Sequence, residues 1–308
     1  MYTIRSPNLR NLSQVISAVE NGDPSLDKDL NSLYPHTRDT IRIGITGPPG
    51  GGKSTLIDKL ITEIRSDGKS VCCISVDPTS PFSGGAFLGD RIRMNQHTLD
   101  PNVFIRSMGS RGELGGLAKK TKQVADILAA SGKDILLLET VGVGQIESEI
   151  IKQVDITLVV LMPEVGDGIQ FMKAGPIEIG DLFVINKSDR EGADYIARTL
   201  RYYFELNENE REFIPNILMT VATEGKGVHE LYTESFTLIE KLTKSGTLNQ
   251  RRKQRYLDQI KSLVKDGLVL KFWTQERENL LNNKLNDFHD QKISPYDAAL
   301  SLMNSLSD

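Results

Sequence analysis

A chain of 308 residues gives room for one large domain with appendages, or for two small domains. Its 39% apolar and 25% charged residues are those of an ordinary folded protein, and a net charge of -4 argues against a general nucleic-acid binder or a partner of anionic membrane surfaces. No apolar run reaches the roughly 18 residues of a membrane span, and the opening MYTIRSPNLRNLSQ has neither the apolar core of a secretory signal nor the character of a transit peptide. A cytoplasmic location is therefore the default expectation, with no membrane and no nucleic acid among the partners.

Residues 1–38 read as a helical extension, in which VISAVENGDP ends a helix at Asn21-Gly22 and Pro24 closes it. Residues 39–246 alternate apolar runs with helical stretches. Strands are expected at Thr40–Thr46, Val71–Asp77, Val103–Ser107, Ile135–Glu139, Ile156–Met162, Leu182–Asn186 and Ile214–Thr220. Most of these runs are continuously apolar, as strands are when helices cover both faces of a sheet. Amphipathic stretches such as Thr55–Arg65, Leu117–Ala130 and Ala193–Leu206 lie between them. The expected fold is α/β: a doubly wound, mostly parallel sheet with N- and C-terminal helical extensions. Cys72 and Cys73 are adjacent in one strand, so they point to opposite faces and suit neither a disulfide nor a shared metal site. Residues 247–308 carry no strand signal. Their first helix places Tyr256, Leu257, Ile260, Leu263, Val264 and Leu268 on an apolar stripe that calls for a partner, and a second helix is expected near Pro295–Leu306.

GITGPPGGGKST, residues 44–55, follows the first strand and opens a helix. Within it, Gly47 to Ser54 fits G-x-x-x-x-G-K-[ST], the loop whose backbone N–H groups cradle phosphate oxygens. Gly47, Gly50, Gly51, Gly52, Lys53, Ser54 and Thr55 are the candidate phosphate-binding residues, which makes the sheet one of the P-loop NTPase kind. Lys53 would reach the β- and γ-phosphates, the Ser54 hydroxyl would ligate Mg²⁺, and the helix N-terminus would face the same anion.

The base is addressed by Asn186-Lys187-Ser188-Asp189, directly after an apolar strand. A carboxylate at Asp189 can accept from guanine N1–H and N2–H₂ together, a pair of donors that adenine lacks, so GTP and GDP are the expected ligands. The Lys187 stem can cover the purine face, and Asn186 can tie this loop to the phosphate loop. Mg²⁺ needs carboxylate oxygens, and Asp77, Asp90 and Glu139 are the candidates. Asp77 and Glu139 close strands, where ligands of open α/β sheets gather, and Asp90 lies in the Gly-rich SGGAFLGDRIRM. Lys53, Asp90 and Glu139 are the residues expected at the hydrolytic step. Gln145 is a candidate for positioning water, although its spacing from Glu139 differs from D-x-x-G-Q. Arg91, Arg93, Arg106 and Arg111 are candidate cations. Slow hydrolysis by the isolated protein, completed by a partner, is the expectation.

GITGPPGGGKST, SVDPTS, GGAFLGDRIRM, FIRSMGSRGELGGLA, LLLETVGVGQIESE and NKSD occur in this order. Together they resemble the MeaB/ArgK-type P-loop GTPases, also labelled LAO/AO transport ATPases, over about residues 9–275. The resemblance implies a chaperone of adenosylcobalamin-dependent acyl-CoA mutases, chiefly methylmalonyl-CoA mutase, with a cobalamin adenosyltransferase as a further candidate partner. It assigns Lys53 and Ser54 to the phosphate loop, Asp77, Asp90 and Glu139 to the Mg²⁺ site, and Asn186, Lys187 and Asp189 to the base. It also implies that residues 163–175 form a third switch, that the Ala222 N–H serves guanine O6, and that the helical extensions, 247–308 above all, make a homodimer. This chain departs from the pattern at Pro163-Glu164, at Gly168 and at Thr220-Val221-Ala222, where T-S-A is usual. A P-loop small-molecule kinase or transport ATPase, a nickel-type metallochaperone GTPase and a scaffold with a vestigial nucleotide site are the alternatives. NKSD argues against the first, the scatter of only 4 histidines against the second, and intact Lys53, Ser54 and Glu139 against the third.

Overall fold

The structure is a computed structural model that describes residues 9–23, 26–77, 95–97, 99–109, 114–140, 151–163, 176–208, 213–285 and 294–304. Seven strands form one sheet: β1 (Ile41–Thr46), β2 (Val71–Asp77), β3 (Val103–Gly109), β4 (Ile135–Thr140), β5 (Ile156–Leu161), β6 (Leu182–Asn186) and β7 (Asn216–Thr220). Their order is β3-β2-β4-β1-β5-β6-β7, and every pairing is parallel. All carboxyl ends therefore meet at one edge, where an open α/β sheet binds its ligands.

Helices cover both faces, which is why β4, β5 and β6 are buried along their whole length. On one face, α3 (Lys53–Ser66) packs Leu56, Ile57, Leu60, Ile61 and Ile64 against β1 and its neighbours. Alpha-helix α7 (Val228–Ser245), which the sequence reading did not name, joins it there through Val228, Leu231, Leu238, Ile239 and Leu242. On the other face lie α1 (Leu9–Asn21), α2 (Leu26–Leu33) and α4 (Leu114–Ala130), and further along α6 (Ala193–Leu206), where Phe183 and Phe204 meet with ring centroids 5.0 Å apart. A single turn, α5 (Pro176–Ile179), precedes β6. The adjacent cysteines are split between the two faces: Cys73 lies in the α3 core and Cys72 in the α4 core, where burial pushes the Cys72 thiol up to about 12. Neither is a reactive thiol.

Two strand limits differ from expectation by more than one residue. β3 continues to Gly109, paired with Asp77. β7 starts only at Asn216, because Pro215 has no N–H to give to a ladder and Ile214 is left exposed. α1 ends at Asn21, and Gly22 takes φ 74° while its N–H closes the helix on Val19 O.

The chain divides into two compact units, residues 1–249 and 250–308. The second comprises most of α8 (Thr247–Phe272), then α9 (Gln275–Leu285) and α10 (Pro295–Asn304), the last two packed on each other. Along α8, the stripe from Tyr256 to Leu268 is between 40% and 63% exposed. No described helix is long and apolar enough to cross a membrane.

Candidate functional site

The phosphate loop begins where β1, paired with β4 and β5, runs out at Thr46. Gly47 takes φ 144°, and a Cβ there would lie 2.1 Å from the carbonyl oxygen of Val160 on β5. Only glycine fits that approach. At the other end of the loop, Gly52 has φ 81° as the residue before α3, and a Cβ there would meet Asn186 Nδ2 at 2.3 Å. The loop thus leans over β5 toward β6. Lys53, 5% exposed, donates from Nζ to the carbonyls of Gly47 and Pro48, each at 2.9 Å. Its ammonium is held inside the arch, at the N-terminus of a 14-residue helix, where two sources of positive potential add. Thr55 follows on the first turn, partly buried.

Asn186, at the carboxyl end of β6 and 2% exposed, joins three loops with one amide. Its Nδ2 donates to Gly51 O at 2.9 Å. Its Oδ1 accepts from the Thr220 hydroxyl at 3.1 Å and from the Ala222 N–H at 3.0 Å. The Ala222 N–H that the sequence reading reserved for guanine O6 is therefore engaged by Asn186. Service to a base would have to be shared with that bond, because the Oδ1 lone pair lies against the same donor. The Thr220 hydroxyl is a contact the sequence reading missed. Its register opposite Asn186 across β6 and β7 arises only in the folded sheet, so no sequence pattern marked it. Lys187 has φ 57° and is the sole non-glycine residue with positive φ among those described. This turn lets Ser188 N–H reach Thr220 O at 3.0 Å and leaves Asp189 exposed to the space beyond the sheet edge.

Glu139, 2% exposed near the end of β4, pairs in register with Ile45 of β1 and Ser75 of β2. Its Oε1 accepts from the Ser54 hydroxyl at 2.8 Å. A hydroxyl and a carboxylate, both hard oxygen donors, thus meet at the first turn of α3, a donor set that fits Mg²⁺. Asp77 ends β2 opposite Gly109. Asp90, Gln145, Arg91, Arg93, Arg111 and residues 164–175 of the expected third switch lie outside the described residues. Arg106 is not a free cation for catalysis: its guanidinium is taken by Ser17 and Glu20 of α1, and it holds that helix to β3.

This constellation, a phosphate loop and an NKSD turn at the open edge of a parallel sheet, defines a P-loop protein of the guanine-nucleotide class. The model of the family described as methylmalonyl-CoA mutase-associated GTPase MeaB matches residues 12–277, and the chain belongs to that family. A putative GTPase of Pyrococcus horikoshii is 44% identical over 302 residues, 96% of this chain and 94% of that protein. GTPase ArgK of Escherichia coli is 32% identical over 298 residues, 92% of this chain and 90% of that protein. A solved structure titled as an LAO/AO transport system kinase has the same fold, with a TM-score of 0.70 at 24% identity over 99% of this chain and 95% of that one. The chain is accordingly a GTPase that binds guanine nucleotide.

Proposed function

We propose that this GTPase is a chaperone that gates cofactor loading and protection of an adenosylcobalamin-dependent acyl-CoA mutase of the methylmalonyl-CoA mutase type. The observation that carries the nucleotide half of the reading is the Asn186 amide. It makes the phosphate loop, the NKSD turn and the Thr220–Ala222 loop one rigid cradle. The family's description supports the mutase half. In this reading Gly47, Gly50, Gly51, Gly52, Lys53, Ser54 and Thr55 hold the phosphates, and Asn186, Lys187, Asp189 and Ala222 hold the base. Ser54, Glu139, Asp77 and Asp90 would hold Mg²⁺, which when bound neutralises charge on the phosphate oxygens. Lys53 turns its ammonium from the Gly47 and Pro48 carbonyls toward that developing charge. Hydrolysis by the isolated protein is slow and the mutase accelerates it, because the spacing of Gln145 from Glu139 departs from D-x-x-G-Q and because Arg106, the one expected cation among the described residues, is committed to Glu20.

The family resemblance further supports a homodimer built on residues 247–308. On α8, Leu257, Ile260, Val264 and Leu268 recur at spacings of three and four, one exposed apolar stripe along the helix. Sedimentation of a monomer at micromolar concentration, with and without nucleotide, would remove that part. The functional reading is tested by GTP turnover of the purified protein alone and with the mutase and, separately, with a cobalamin adenosyltransferase. A low basal rate that rises sharply with the mutase is the expected result. An unchanged rate and no complex would overturn the chaperone reading. Net phosphate transfer to a small molecule would install the kinase reading in its place, and stoichiometric nickel binding the metallochaperone reading.

A further inference from the structure

β1, β5 and β6 carry the contacts of the cradle: Gly47 follows β1, Val160 lies on β5 and Asn186 closes β6. At the opposite, amino edge of these three strands stand two buried carboxylates. Asp155, the residue before β5, is 1% exposed, and Asp181, the residue before β6, is 8% exposed. A carboxylate at such depth is tolerated only when its oxygens are engaged, and each of these closes a two-bond ring on one residue of the neighbouring strand. Asp155 gives its N–H to Arg42 O at 2.7 Å and takes the Arg42 N–H on Oδ2 at 3.0 Å. Asp181 gives its N–H to Thr157 O at 2.9 Å and takes the Thr157 N–H on Oδ2 at 2.8 Å. Both ladders are thus closed ahead of their first paired strand residues, Ile43 with Ile156 and Leu158 with Leu182.

The rings and the cradle are spaced alike. Five residues along the chain, Arg42 leads to Gly47, Asp155 to Val160 and Asp181 to Asn186. At ~3.3 Å per residue this is about 16 Å of extended backbone. The contact at the far end has no slack, since a Cβ on Gly47 would lie 2.1 Å from Val160 O. A slip of one residue between β1 and β5 would turn every side chain to the other face and bring a different pair to that crossing. A third carboxylate makes the same kind of bond where no cradle contact depends on it: Asp134, before β4, takes the Ser70 N–H on Oδ2 at 2.7 Å, while Ile135 N–H goes to Ser70 O at 3.1 Å. β2 and β4 carry neither Gly47, Val160 nor Asn186.

We propose that Asp155 and Asp181 are positioning residues for the nucleotide: their rings pin the offsets of β1 on β5 and of β5 on β6, and so set the crossing of Gly47 over Val160 and the reach of Asn186 to Gly51. They touch no nucleotide and act through the strands they pin. The proposal rests on the reading of the phosphate loop and Asn186 as the nucleotide cradle. In this role a buried charge contributes the choice of one arrangement more than stability.

Calorimetric titration of GDP into the full chain without Mg²⁺, with urea unfolding of each variant in parallel, tests this without reference to turnover. Asp155→Ala and Asp181→Ala should each weaken GDP binding roughly fivefold, the equivalent of one hydrogen bond. Asp155→Asn and Asp181→Asn, which retain an oxygen acceptor, should recover most of the wild-type affinity. Asp134→Ala should bind GDP as the wild type does, because it loosens strands that hold no cradle contact. Where an alanine variant does not fold, Asp155→Glu or Asp181→Glu, with the acceptor one methylene too far out, is read in its place and should show the same loss. Unchanged affinity in these variants, with a weakened one in Lys53→Ala, overturns the pins and leaves the cradle reading standing. Unchanged affinity in Lys53→Ala as well overturns both. A fall in Asp134→Ala as large as in the other two also overturns the proposal, because it marks general loosening of the sheet.

Discussion

Replacing Asn186 by Ala tests the cradle at its centre. The substitution removes a donor to Gly51 O and an acceptor for both Thr220 Oγ1 and Ala222 N–H, at a position 2% exposed. Three buried bonds at a net value of about 1 kcal/mol each put the loss near 3 kcal/mol. For a folded unit of about 250 residues that lowers the thermal midpoint by roughly 6–10 °C. GDP affinity should fall further than stability alone requires, because the orphaned Ala222 N–H and Gly51 carbonyl free both loops to move. Asn186→Asp separates the two effects. It retains an acceptor for Thr220 and Ala222 but sets a carboxylate against the Gly51 carbonyl, so phosphate-loop order should be lost while the Thr220 side is kept. Denaturant unfolding with and without GDP, and calorimetric GDP titration, supply the measurements. A loss below about 0.5 kcal/mol with unaltered GDP affinity would refute the claim that one amide unifies the three loops.

Gly47→Ala brings a Cβ within 2.1 Å of Val160 O at φ 144° and should cost more than about 4 kcal/mol, or prevent folding, whereas Gly51→Ala, with its nearest atom at 3.2 Å, should cost under about 1 kcal/mol by urea denaturation. Asp189→Ala should bring the affinities for GDP and inosine diphosphate together, since only guanine offers the N2–H₂ donors; a retained preference for GDP in a competition titration would move base recognition elsewhere. The Arg65 guanidinium beside Asp100 holds that carboxyl below its ordinary range. A lowered carboxylate contributes stability above its unfolded value, and that stability is lost as pH falls through the folded one. Arg65→Met should therefore flatten the acid limb of the stability curve below the ordinary Asp range and leave its slope near neutral pH unchanged.

What the sequence made legible was what local pattern controls. Apolar runs, most of them continuous, placed all seven strands, since strands buried on both faces need no alternation, and the run of glycines before Lys53 marked a turn that only glycine can make. Lost to the sequence were facts set by distant residues. Pro215 cut β7 short from inside an apolar run. Arg106 looks like a free strand cation until Glu20, 86 residues away, is folded against it. Asp58 reads as part of a solvated helix face, and only the return of residues 96–97 buries it. The strand order was invisible for the same reason, although it decides which motifs can meet.

That order explains why the site needs glycine where it does. β6 stands two places from β1, with β5 between them. At a strand spacing of ~4.8 Å this is about 10 Å, too far for an Asn side chain unless the loop comes to it. The loop does so by crossing β5. Its near end is pressed on Val160 O at Gly47, and its far end is pressed on Asn186 at Gly52. The glycines and the amide are therefore one device, and their losses should overlap. Gly52→Ala drives a Cβ to 2.3 Å from Asn186 Nδ2 and so breaks the same bond to Gly51 O that Asn186→Ala removes. In a double-mutant cycle on unfolding free energy, the double variant should lose less than the two single losses combined by at least about 1 kcal/mol, the residue being the strain of alanine at φ 81°. Additivity within about 0.5 kcal/mol would mean that the two ends of the loop are held independently, and that the lean across β5 is not what the glycines serve.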